Sequence, residues 1–202
     1  MVNMIYEGDS SFNKRSQKLV WQEILKMDPA VQKPLRHSEV PITFSRADQW
    51  TSFSEPGKFP FVLDPVVAGS ILTRVLIDGG SGLNLIFMST ITKMGLDISD
   101  KLKPSKAPFY GIVPGNASIP IGTMGLPVTF GTPDNYRTEL IKFEVADFES
   151  SYHAILGRPA LVKFMAVPHY VYLLLKMPGK TGVLTFHGDL QKSFECEKQV
   201  IT

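Results

Sequence analysis

The apolar residues of this chain come in short runs, cut by 16 glycines and 15 prolines scattered along 202 positions. Either residue weakens a helix interior, and both mark turns, so this punctuation favours short strands joined by turns over long helices. The most apolar runs, residues 171–175 and 83–87, fall far short of the roughly 20 residues that cross a bilayer. With 44% hydrophobic and 20% charged residues, the chain can still bury a core. Its length suits one domain with a tail.

Other compositional signals narrow the function classes. A net charge of +2 is too small a bias to imply nucleic-acid binding. The basic cluster Lys14, Arg15 and Lys18 reads as a solvated face. Cys196 is the sole cysteine, so no disulfide forms within the chain, and a reducing intracellular setting is expected. Residues 1–9 lack a basic stretch leading into an apolar one, so no signal peptide is expected.

Local patterning divides the chain into a polar N-terminal linker (1–39), a β-rich domain (40–189) and a C-terminal tail (190–202). One short helix is expected over 18–27, ended by Asp28-Pro29. Strands are expected at 42–44, 61–67, 71–77, 119–121, 126–130, 140–145 and 154–156. Residues 85–94 read as a strand passing into a short helix, with Gly95 just beyond its end. Pro159 suits the first turn of a helix reaching Phe164. Residues 171–177 and 182–186 flank Pro178-Gly179-Lys180-Thr181 as a hairpin. The sum is an all-β, barrel-like or sandwich fold with one or two short helices.

Asp78 ends an apolar strand and is followed by Gly79, Gly80 and Ser81. Glycines let a backbone turn tightly and aim its N–H groups at a carboxylate. Asp-Gly after an apolar run is equally a hairpin signal, and taken alone the spacing favours that plain turn.

The wider sequence shifts the balance. Residues 75–86 (VLIDGGSGLNLI) resemble the catalytic segment of retropepsin-like aspartic proteases, in which an apolar strand enters Asp-Thr/Ser-Gly. Ala154-Ile155-Leu156-Gly157-Arg158 resembles that family's second signature, whose apolar pair packs behind the catalytic loop. Residues 111–126 (GIVPGNASIPIGTMGL) stand where the family places its substrate-covering flap, and residues 126–131 (LPVTFG) resemble the strand after it. The Asp-Gly-Gly-Ser form, with Pro41-Ile42-Thr43-Phe44-Ser45 upstream and residues 152–161 (YHAILGRPAL) downstream, is similar to plant gypsy-type LTR retrotransposon polyproteins. The resemblance covers roughly residues 40–189.

It implies one subunit of a retropepsin-like barrel, completed as a C2 homodimer. The chain carries one Asp-Gly-Gly-Ser sequence; Asp64, Asp134 and Asp189 lack the glycines. A catalytic pair therefore requires Asp78 from each of two copies. The two carboxylates would share one proton, one activating a water and the other polarising the scissile carbonyl. Gly79, Gly80 and Ser81 would support that loop, with Ile155, Leu156, Gly157 and Arg158 behind it. Tyr110, Gly111, Ile112 and Val113 would line the flap over an extended peptide. The implied role is polyprotein processing, in the cytoplasm or a retroelement particle, with a gag-like region before the chain and reverse transcriptase after it.

Three positions depart from the family pattern. Gly79 stands where a Thr or Ser hydroxyl usually bonds across the dimer. Gly82 stands where several relatives carry an acidic partner for the signature arginine, and Pro159 where Asp or Asn is usual. These departures suit a second reading, a catalytically inactive protease-like fold or binding module from a decayed element.

Other chemistries find little support. His37, His153, His169 and His187 lack metal-ligand spacing, so no metal or other cofactor is expected. Cys196 has no histidine partner and reads as a bystander thiol. Residues 79–82 lack the Lys-Ser/Thr of a phosphate loop. Tyr170, Tyr172 and Phe164 read as core or strand positions.

Overall fold

The computed structural model describes residues 40–105, 109–113 and 116–200. The expected linker and its helix at 18–27 lie outside the described residues, as does His37. Two short strands, β1 (Val62–Leu63) and β2 (Val66–Val67), open the domain, and β2 turns back into β3 (Ser70–Ile71). Ala68 and Gly69 in that turn have φ of 47° and 83°, the two left-handed positions that match a tight hairpin to strand twist. β4 (Val75–Ile77) leads to Asp78, and β5 (Leu85–Phe87) runs straight into α1 (Met88–Lys93). Gly95, at φ 66°, donates to the Thr92 carbonyl while Leu96 N–H reaches Ile91, a Schellman stop at the expected glycine.

A two-stranded hairpin, β6 (Phe109–Val113) with β7 (Asn116–Ser118), precedes the longest pair, β8 (Gly122–Thr132) with β9 (Asn135–Ala146). β8 and β9 stay in register from Gly122↔Val145 to Thr132↔Asn135. β8 alternates buried and exposed positions over much of its length, as a strand with one covered face must. Gly131 admits no side chain, since a Cβ there would lie 2.3 Å from the Asn135 carbonyl oxygen.

β10 (Ala154–Leu156) enters between β4 and β5, parallel to the first and antiparallel to the second. The eight strands follow the order β1-β4-β10-β5-β9-β8-β2-β3 in one curled sheet. β5 and β10 are buried throughout, which is why they read as unbroken apolar triplets. The helix α2 (Arg158–Phe164) follows β10, and a second sheet of β11 (Val167–His169), β12 (Leu174–Gly179) and β13 (Gly182–His187) completes the β structure. Phe61, Phe143, Phe164, Ile77 and Leu156 are fully buried in the main core. Each such side chain contributes about 2 kcal/mol through burial.

The mostly β expectation holds, with corrections. The described residues hold three α-helices rather than one or two, because 190–200 is the helix α3 (Leu190–Val200) and not a bare tail. Asp189 caps it, its Oδ1 accepting the Lys192 N–H at 3.0 Å, and Ser193 and Cys196 face inward at helical spacing. Residues 42–44 form no strand. Side chains hold that stretch instead: the Phe44 ring lies 5.0 Å from the His169 ring and 4.9 Å from Lys176 Nζ. Residues 119–121 precede β8 rather than form a strand. The second-sheet hairpin turns at Lys180-Thr181, with Pro178 and Gly179 inside β12, while residues 171–173 form a turn and β11 was not foreseen.

Candidate active site

Asp78 sits where β4 ends, and its loop is fixed from several sides. Its own N–H donates to the Leu156 carbonyl at 3.0 Å, extending the parallel pairing of β10 by one residue. Within the loop, Gly80 N–H donates to Asp78 Oδ1 at 2.9 Å and Ser81 N–H to the Asp78 carbonyl at 3.2 Å. A carboxylate oxygen accepting a backbone N–H is held in one orientation. Ser81 Oγ donates to the Leu83 carbonyl at 2.8 Å and accepts the Leu83 N–H at 3.2 Å, closing the turn. Asp78 is half-buried, with Gly80 exposed beside it.

The second signature lies directly against this loop. A Cβ on Gly157 would meet the Leu83 carbonyl oxygen at 2.2 Å and that of Ser81 at 2.8 Å, so only glycine permits the approach. Arg158 N–H donates to the Ser81 carbonyl at 2.9 Å. Ile155 and Leu156 pair with Leu76 and Ile77, and Leu156 is buried in the core behind Asp78. Arg158 is exposed, and among the described residues its guanidinium makes no ion pair. Tyr110, Gly111, Ile112 and Val113 lie in β6; their side chains are outside the described set.

Two residues matter here that the sequence did not mark as site residues. Buried Asn84 joins three elements: Oδ1 accepts N–H groups of Gly157 (3.0 Å) and Ala160 (3.3 Å), and Nδ2 donates to the Lys142 carbonyl at 3.0 Å. Its place in the Leu83-Asn84-Leu85 run, a polar residue between apolar ones, was the available signal. Tyr170, expected as a core or strand position, lies in the turn after β11, and its hydroxyl accepts the Gly79 N–H at 2.7 Å. Nothing local signals that contact, because 91 positions separate the pair.

Burial raises the pKa of the Tyr170 phenol; the Gly79 N–H opposes that rise and the Asp78 charge adds to it. Tyr152 is pushed up to about 12, by burial first and then by the charges of Cys196, Glu197 and Asp78. Cys196 is buried, and that burial raises its thiol pKa as well. His169 Nδ1 accepts the Tyr172 N–H at 3.1 Å, and His187 packs edge-on against Trp50. A groove of about 610 Å³ runs between residues 63–66, 129–132 and 185–189 and contains none of residues 78–81. Among the described residues, no group of His, Cys, Asp or Glu could hold a metal ion. No described helix is long and apolar enough to cross a membrane.

No family matches the chain, and no curated protein matches it. Several solved structures resemble it. The retroviral protease-like domain of Ddi1 from Leishmania major is 12% identical, with TM-score 0.42 over 63% of this chain and 93% of that one. A retropepsin-like aspartic protease from Rickettsia conorii is 18% identical, with TM-score 0.41 over 60% and 83%. The EIAV protease complexed with the inhibitor HBY-793 is 19% identical, with TM-score 0.35 over 51% and 86%.

Proposed function

We propose that the chain is a retropepsin-like aspartic endopeptidase in which Asp78 from each of two copies forms the catalytic pair. The observation that carries this reading is the Asp78 loop: a carboxylate at the end of β4, with β10 alongside in parallel and Gly157 pressed against residues 81 and 83. That arrangement fixes a half-buried carboxylate beside the exposed Gly80, which leaves it the access a reacting group needs. One carboxylate of the pair, ionised, draws a proton from a water that attacks the scissile carbonyl. The other, protonated, donates to the carbonyl oxygen. The hairpin of β6 and β7 serves as the flap, and the substrate is an extended peptide bound through its backbone. A plant gypsy-type retrotransposon polyprotein, processed within the cell, fits the sequence motifs.

The second reading, an inactive protease-like binding module, draws on Gly79 and on Arg158, whose guanidinium makes no ion pair among the described residues. Cleavage of an unfolded protein by the purified chain, beside Asp78→Ala, separates the two. The assay runs from about pH 4 to 7 and over a wide concentration range. Activity that vanishes in the variant and rises faster than linearly with concentration is expected of the dimeric protease. No cleavage by a folded, dimeric chain would sink the reading and favour the inactive module.

A further inference from the structure

Gly79 carries no side chain, yet the space beside it is filled. A Cβ built there would lie 3.1 Å from Tyr170 Oη and 3.9 Å from the nearest ring carbons. The Gly79 backbone has no positive φ, so its conformation does not itself demand glycine. What crowds a Cβ there is the tyrosine hydroxyl, which would have to give by a few tenths of an ångström. That hydroxyl accepts the Gly79 N–H at 2.7 Å and donates to the Ile77 carbonyl at 3.3 Å. Residues 77 and 79 flank Asp78, so one phenol ties down the peptide groups on both sides of the carboxylate. The ring is braced in turn: it packs edge-on to Phe61 at 6.1 Å, and the Phe61 carbonyl accepts the Ile77 N–H at 2.8 Å.

We infer that Tyr170 is a positioning residue for Asp78, its hydroxyl holding, from the turn after β11, the peptide groups on either side of that carboxylate. The loop and the tyrosine are therefore a matched pair: glycine at 79 leaves room for the phenol, which holds the loop backbone from within the same chain. Burial keeps the phenol protonated, so it retains the hydrogen that reaches Ile77. The effect on cleavage rests on the protease reading; the pinning of the loop does not.

The test uses the full chain as Tyr170→Phe, Gly79→Ala and the double variant. Amide hydrogen exchange at Gly79 should quicken about tenfold in Tyr170→Phe, with β8 and β9 unchanged, since the Gly79 N–H loses its acceptor and the ring stays. Gly79→Ala should also quicken loop exchange by pushing the hydroxyl aside, but should add nothing in the Tyr170→Phe background. For Asp78-dependent cleavage, kcat should fall about tenfold in Tyr170→Phe while KM holds, the split expected when orientation and not binding is lost. Unchanged Gly79 exchange in a folded Tyr170→Phe chain, or fully additive effects of the two substitutions, would overturn the inference. A folded, dimeric wild type that cleaves nothing but still shows the exchange differences would sustain the pinning and remove the protease reading.

Discussion

Asn84 shows how much of the site depends on one buried amide. Its three hydrogen bonds satisfy two N–H groups at the start of α2 and a carbonyl of β9. Helix N-termini leave donors short of intrahelical partners, and Gly157, just before α2, has no side chain to cap them; the Ala160 N–H is shared with the Gly157 carbonyl at 3.1 Å, so the Gly157 N–H and the Lys142 carbonyl depend most on Asn84. Asn84→Leu keeps the approximate volume and removes every polar atom. It should lower stability by about 3 kcal/mol, because each buried group left unpaired costs about 1–3 kcal/mol. The measurement is the urea midpoint at constant m-value. A midpoint unchanged from wild type would mean that water or a shifted backbone takes over the amide's bonds.

Among the elements, α3 has the least to announce it in sequence and a built-in reporter in structure. It docks through buried Ser193 and Cys196, with Lys192 reaching Asp64 and Asp189 and Glu195 meeting Arg74 at 3.1 Å. Because Cys196 is the sole cysteine, thiol labelling reads the docking directly. Burial both shields the thiol and raises its pKa, so native labelling should be at least about 100-fold slower than in denaturant. Lys192→Ala should speed it by loosening the helix, and rapid labelling of the native wild type would show that α3 does not stay docked. The sequence disclosed α1 and α2 through Gly95 and Pro159, and β5 and β10 through apolar triplets, the second stopped by Gly157. It hid α3 because that helix's inward face uses Ser193 and Cys196, which do not stand out in a charged stretch. β11 was hidden because Pro168 breaks its pattern, and residues 42–44 misled because an apolar alternation needs a neighbouring strand to become one. The Asp78 loop and Gly157 were legible from motif residues that lie close to each other in the fold. Tyr170 was not, since its contact depends on how the second sheet folds back.

At the scale of the whole molecule, Arg137 joins the parts. Its buried guanidinium projects from β9 and donates to the carbonyls of Phe164 and Lys163, the latter at 2.8 Å, at the end of α2. It also reaches Pro178 of β12 at 3.4 Å and holds Glu139 Oε1 through Nε and Nη2 at 3.1 and 2.9 Å. The carbonyls ending a helix lack intrahelical donors and carry partial negative charge, so a cation there is favoured twice over. The guanidinium also stands 5.7 Å from the centre of the Phe164 ring. One side chain thus connects the main sheet, the second sheet and the helix that begins beside Gly157. Arg137→Met fills a similar space and leaves the carbonyls and Glu139 without their donor. It should cost about 3 kcal/mol or more, in the range for breaking a buried charged network. Arg137→Lys should recover less than half of that, because a single ammonium cannot serve four acceptors spread around a planar fork. Urea unfolding followed by both fluorescence and circular dichroism measures the loss, and the two probes address a further point. If Arg137 couples the sheets, the Met variant should lose coincidence between probes as the second sheet separates first. Coincident transitions at the wild-type midpoint would mean that the two sheets are held together without it.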